Sequence, residues 1–119
     1  MIYSAKVLDH FHRPRNAGQI PGASIAIEAA NPVCGDLLKL WVIVREGTIS
    51  DAKFQVEGCI PAVACASLLT EMLIQRPVTE LRTITAEQIE AALGGLPAAS
   101  RHAAALAMAG VRELLEQLS

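Results

Sequence analysis

The chain has 119 residues, of which 52% are apolar and 3% aromatic, and its 10 basic and 12 acidic side chains leave a formal net charge of −2. The apolar content excludes a disordered chain, and the charge balance with so few aromatics excludes a basic or base-stacking nucleic-acid module. No run approaches the roughly 18–20 apolar residues that span a bilayer, and the N-terminus lacks a secretory apolar core, so a single cytoplasmic domain over residues 1–119 is expected, with neither membrane nor nucleic acid as a partner.

Residues 2–12 read as a short helix, with Ile2, Val7, Leu8 and Phe11 able to share a stripe. Arg13-Pro14 ends it, because proline disfavours helix at the preceding residue. Residues 16–22 carry turn chemistry, with two glycines and a proline. Residues 24–29 alternate weakly and predict a first strand, which Asn31-Pro32 breaks.

Residues 37–45 and 49–57 flank Glu46-Gly47 and predict a β-hairpin. Leu38, Leu40, Val42 and Val44 form one apolar face, and Ala52, Phe54 and Val56 form its match. A strict two-residue turn would place Lys53 opposite Leu40, on the wrong face. A three-residue loop with Gly47 left-handed restores the match and is the expectation. That register brings Cys34 to within a residue of standing opposite Cys59, and neighbours across a strand pair have Cβ atoms about 4.5–8 Å apart. Both thiols lie just outside the strands beside glycines, in Cys34-Gly35 and Gly58-Cys59.

Pro61 suits the first turn of a helix over residues 61–75, with Val63, Leu69, Met72 and Leu73 available for the core. Gln75-Arg76-Pro77 stops it, and residues 79–81 add at most a turn. Thr85 and Gln88 have capping-box spacing ahead of Ile89, Ala92 and Leu93, and Gly94-Gly95 ends that helix. The last helix starts at about Pro97 or Ser100 and reaches Leu118, with Val111, Leu114, Leu115 and Leu118 as its buried stripe. There is no internal repeat or low-complexity tract.

The loop Asn31-Pro-Val-Cys-Gly-Asp36 sets a soft thiolate beside a hard carboxylate. Cys34 and Asp36 offer two metal ligands and Cys59 a third, and such groups hold zinc at about 2.0–2.3 Å or, as thiolates, iron–sulfur clusters. Taken singly, each cysteine reads as well as a small buried hydrophobe, and Asp36 as a turn residue. Convergence of the two thiols at one hairpin end favours a site. An odd count of three cysteines argues against a disulfide framework. Cys59 precedes the helix near Pro61, whose N-terminal field favours a thiolate. Cys65 sits inside that helix among alanines and reads as packing. His10 and His12 read as surface residues, and His102 by itself reads as a solvated or capping histidine. No nucleophile elbow, phosphate loop, dinucleotide fingerprint or HExxH motif is present.

Taken together, these segments resemble the U-type iron–sulfur cluster assembly scaffolds, the IscU, NifU N-terminal and SufU group. The likeness opens with Tyr3-Ser4, Lys6-Val7, Asp9-His10, Pro14-Arg15-Asn16 and Gly18. It continues through Asn31-Pro32-Val33-Cys34-Gly35-Asp36, Asp51-Ala52-Lys53-Phe54 and Gly58-Cys59. Ser67-Leu68, Thr70-Glu71, Leu96-Pro97 and His102 complete it. The resemblance implies an α+β fold, a three-stranded antiparallel sheet with helices packed on one face. It implies Cys34, Asp36, Cys59 and His102 as the ligands, and it alone brings His102 to the site. It further implies a scaffold rather than an enzyme: a binder of iron, a [2Fe–2S] cluster or zinc that takes persulfide sulfur from a cysteine desulfurase and hands clusters to recipient apo-proteins. Two positions depart from the family pattern. Ala103 stands where a third cysteine follows the histidine, and Ser100 stands where a lysine serves docking to a DnaK-type chaperone, which argues against that partner. The alternative is a degenerate member that binds the assembly machinery without building clusters.

Overall fold

The computed structural model describes residues 2–31 and 35–118. Its radius of gyration is 13.2 Å. Helix α1 (Ala5–His12) is followed by strands β1 (Ile25–Ala30), β2 (Leu37–Arg45) and β3 (Thr48–Glu57). Helices α2 (Ile60–Leu73), α3 (Ala86–Ala92) and α4 (Arg101–Leu118) follow, with 3-10 turns at Val78–Thr83 and Ala98–Ser100. The strands form one antiparallel sheet in the order β1-β2-β3. This is the expected α+β arrangement, and α2 and α4 both lie against the sheet. Alternation decides which face they cover: Ile27, Ala29, Leu38, Leu40, Val42, Ala52 and Phe54 are buried, whereas Ala26, Glu28, Ala30 and Gln55 between them are exposed. No helix among the described residues is long and apolar enough to cross a membrane.

The hairpin has the expected body register, with Leu40 opposite Phe54 and Leu38 opposite Val56, but reaches it by another device. The turn is a two-residue one, since Arg45 pairs with Thr48. Glu46 and Gly47 are both left-handed, at φ 52° and 76°, which is the twist-matched hairpin geometry. The odd residue is Ser50, skipped where Val44 pairs with Ile49 and Ile43 with Asp51. A bulge shifts the faces by one residue just as a longer loop would.

Helix α1 begins later than expected, because Ser4 caps it, its hydroxyl accepting from Val7 N–H at 3.1 Å. The same hydroxyl donates to the Leu93 carbonyl and ties α1 to the end of α3. Ile2 therefore stands outside the helix, 77% exposed, and the buried residues of α1 are Val7 and His10. His10 was expected at the surface; it lies instead beneath the segment after α1. The hydroxyl of Ser67 on α2 accepts from Arg15 N–H at 2.8 Å and faces His10 Nδ1 at 2.8 Å. Asn16 Nδ2 donates to Thr70 Oγ1 at 3.1 Å, and Asn16 O and Gly18 N bond both backbone groups of Phe54. The Pro14–Gly18 segment is thus latched to α2 and covers the edge of β3. Asp9 braces it from outside, its carboxyl held below the ordinary range by hydrogen bonds from Arg15 and then Arg13.

Burial holds the His10 imidazole below its ordinary range, helped by Arg15 and opposed by Glu71 and Asp9. Folded His10 then stays neutral where the unfolded chain, at about 6.5, already binds a proton. Its contribution is present in full above that value and is lost as pH falls through the folded value. Denaturant melts at pH 7.5 and 5.5 should show stability falling on acidification, and the fall should be smaller in His10→Gln. An equal fall in both chains would remove His10 as the cause.

Helix α4 approaches the sheet closely because it presents Ala103, Ala107 and Gly110, all buried. A Cβ at Gly110 would stand 2.8 Å from Leu38 Cδ2. This close seat, with the capping box of Thr85 and Gln88 that starts α3, brings the first turn of α4 to the end of the hairpin.

Candidate metal centre

Three of the four expected ligands meet at that end of the sheet. Asp36 is buried just ahead of β2, Cys59 is the N-cap of α2, and His102 opens α4. Cys59 Sγ lies 3.3 Å from Asp36 Oδ2 and 3.6 Å from His102 Nε2. His102 Nε2 and Asp36 Oδ2 are 4.0 Å apart. Cys34, the fourth expected ligand, lies outside the described residues, so its approach to Cys59 is not described.

Each donor is held by its own element. The sheet register fixes Asp36, whose carbonyl accepts from Asn31 N–H at 2.9 Å. Its carboxyl lies directly over Gly58, where a Cβ would come within 2.7 Å of Cγ and 2.9 Å of Oδ1. Gly58 is therefore a glycine because a carboxylate occupies the space of its missing side chain. Cys59 is fixed by the start of α2, its carbonyl accepting from Val63 N–H at 3.1 Å. His102 Nδ1–H donates to the Ala99 carbonyl at 3.0 Å, which turns Nε2 toward Asp36 and Cys59.

The electrostatics correct one expectation. The Ala62 N–H at the start of α2 does favour the Cys59 thiolate, but burial outweighs it and Asp36 adds to burial, so the thiol is pushed up from its ordinary value. Cys59 in the metal-free protein is a thiol donating to Asp36, and a cation between them would reverse that preference. Cys65 is fully buried in α2 and its thiol is pushed up to about 12 by burial, in keeping with packing.

The donor spacing suits a small tetrahedral ion. Ligands about 2.0–2.3 Å from such an ion stand about 3.3–3.8 Å from one another; the two separations to Cys59, 3.3 and 3.6 Å, fall in that range, and the His102–Asp36 separation of 4.0 Å lies just beyond it. Thiol, imidazole and carboxylate are zinc and iron donors. Among the described residues, Asp36, Cys59 and His102 form the one such cluster of three. Local sequence could not have found His102, because 43 residues separate it from Cys59 and only the seating of α4 joins them.

Known proteins agree with this architecture. The family model for the NifU-like N-terminal domain matches residues 2–117. The iron–sulfur cluster assembly scaffold protein IscU 1 of Archaeoglobus fulgidus is 41% identical over 114 residues, which cover 96% of this chain and 74% of that protein. The IscU scaffold protein of Azotobacter vinelandii is 41% identical over 112 residues, covering 90% of this chain and 86% of its own. The crystal structure of a NifU-like N-terminal protein from Brucella abortus shares the fold, with a TM-score of 0.74 at 19% identity over 99% of this chain and 96% of that one. The chain belongs to the family of NifU-like N-terminal domains.

Proposed function

We propose that this chain is an iron–sulfur cluster assembly scaffold, with Cys34, Asp36, Cys59 and His102 as the ligands of its metal and cluster cargo. The observation that carries the reading is the convergence of Asp36 Oδ2, Cys59 Sγ and His102 Nε2 at ligand-to-ligand spacing before any ion is bound. The IscU proteins it resembles are cluster assembly scaffolds by name, which supports the assignment. Cys34, two residues before Asp36 in the loop, supplies the fourth ligand in this reading. Iron, zinc or a [2Fe–2S] cluster is cargo held by these side chains, and the protein acts as a binding surface rather than an enzyme.

Sulfur arrives from a cysteine desulfurase. Cys59 is half-buried and within a partner's reach, whereas Cys65 is sealed in the core. Ala103 is buried at 1% exposure and carries no thiol. Transfer therefore falls to Cys59 or Cys34. The acceptor thiolate attacks the outer sulfur of the desulfurase persulfide, a new sulfur–sulfur bond forms on the scaffold, the old one breaks, and the desulfurase leaves as its thiolate.

Anaerobic protein offered zinc should take it up stoichiometrically, and a hundredfold excess over the dissociation constant should raise the melting temperature by roughly 10 °C. Offered iron and sulfide instead, it should retain both. Failure to bind zinc, iron or cluster under reducing anaerobic conditions would overturn the reading.

A further inference from the structure

We propose that Asn31 is a positioning residue for the metal centre, its side-chain amide fixing where His102 stands relative to Asp36. The inference rests on the metal-site reading above. Asn31 directly follows β1 and is buried. Its backbone carries the β1–β2 ladder one step further: Asn31 N–H donates to the Asp36 carbonyl at 2.9 Å, in line with the Ala30–Leu37 pair. Its own carbonyl accepts from Gly35 N–H at 2.8 Å. The base of the loop from 31 to 36 is therefore closed, and Asp36 is locked in register with Asn31.

The side chain reaches the other way. Asn31 Nδ2 donates to the carbonyl of His102 at 3.2 Å, across 71 positions of sequence. That carbonyl, in the first turn of α4, has a second lone pair to offer beyond its helical bond. One residue thus grips both ligand-bearing segments, the end of the sheet through its backbone and the start of α4 through its amide. A metal site tolerates little slack between its donors, since bonds are about 2.0–2.3 Å and supporting contacts must hold ligands to within about 0.5 Å. Gly110 lets α4 close in on Leu38 and Ile27, and the buried Leu106, Val111 and Leu114 pack by contacts that carry no fixed direction. The amide adds a directional constraint to that packing. Asparagine suits the task, because a carboxylate of the same shape has no proton to give a carbonyl.

The test measures zinc affinity by competition with a chromophoric chelator, and the absorption of the cobalt-loaded protein, in the parent chain, Asn31→Ala and Asn31→Asp. Each substitution is repeated in a His102→Ala background. Both Asn31 variants should bind zinc about tenfold or more weakly and shift the cobalt bands, and neither should weaken binding further once His102 is gone. Should Asn31→Asp not fold, Asn31→Ala carries the same comparison. Parent-like affinity and cobalt spectrum in the Asn31 variants would overturn the inference, as would equal losses with and without His102. A parent chain that binds neither zinc nor cobalt overturns the metal-site reading, and this inference with it.

Discussion

Cys59→Ser should lose zinc affinity by more than about 100-fold, beyond what removal of a supporting contact costs, while the metal-free melting temperature changes little. The two outcomes separate because the side chain has separate roles. As a ligand, the sulfur is one of three described donors at 3.3–4.0 Å from one another, and a serine hydroxyl does not ionise to replace it at neutral pH. As part of the fold, the thiol is a half-exposed donor to Asp36, and a hydroxyl donates as well. Cys65→Ser should do the reverse. Its thiol is fully buried among apolar neighbours, so a hydroxyl there should cost about 1–3 kcal/mol of stability and leave zinc affinity intact. Calorimetry with and without zinc measures both. Retained zinc binding in Cys59→Ser would remove Cys59 from the ligand set. Unchanged partner binding and cellular role in Cys34→Ser with Cys59→Ser would favour a degenerate, interaction-only protein.

Gly58→Ala should damage both the site and the fold. The added Cβ would stand 2.7 Å from Asp36 Cγ, 2.9 Å from Oδ1 and 3.1 Å from Cβ. No real structure holds such contacts, so the carboxyl must leave its place or the end of β3 must move away. Asp36 is 7% exposed and has little room to retreat. Overpacking of this kind costs about 1–3 kcal/mol, and displacing a ligand should weaken zinc binding by at least about tenfold. Gly47→Ala serves as the contrast, because nothing lies within 4 Å of its added Cβ and its φ of 76° makes the strain purely one of backbone. It should lose stability without losing zinc affinity. Gly58→Ala with parent-like stability and affinity would show that Asp36 has room the geometry denies it.

The parts of this architecture that rest on local period were legible in the sequence. The hairpin faces dictated that Leu40 oppose Phe54, and so placed Asp36, just before β2, beside Cys59. Thr85 and Gln88 announced α3 by a contact three residues long. The bulge at Ser50 was not legible, because a bulge and a longer loop shift the faces identically and only backbone dihedrals separate them. His10 was misplaced for a different reason. Its partners Ser67 and Glu71 come from another helix, and a polar residue near a helix end carries no local sign of the hydroxyl that will cover it. Asn31 read only as a strand breaker beside Pro32, since its amide acts on a carbonyl 71 residues away. His102 reached the site by resemblance alone. The field of α2 at Cys59 was legible, but the net sign was not, because burial of the thiol and the nearness of Asp36 depend on tertiary packing.

In the scaffold reading, donors drawn from the loop before β2, the cap of α2 and the first turn of α4 would also govern when the protein can first accept its cargo. Positions 36 and 59 meet through the β2–β3 pairing, and position 102 joins them only when α4 docks on the sheet. A chain still emerging from the ribosome with that helix unmade offers free iron no closed coordination sphere. In the scaffold reading proposed above, loading would therefore wait until α4 has docked.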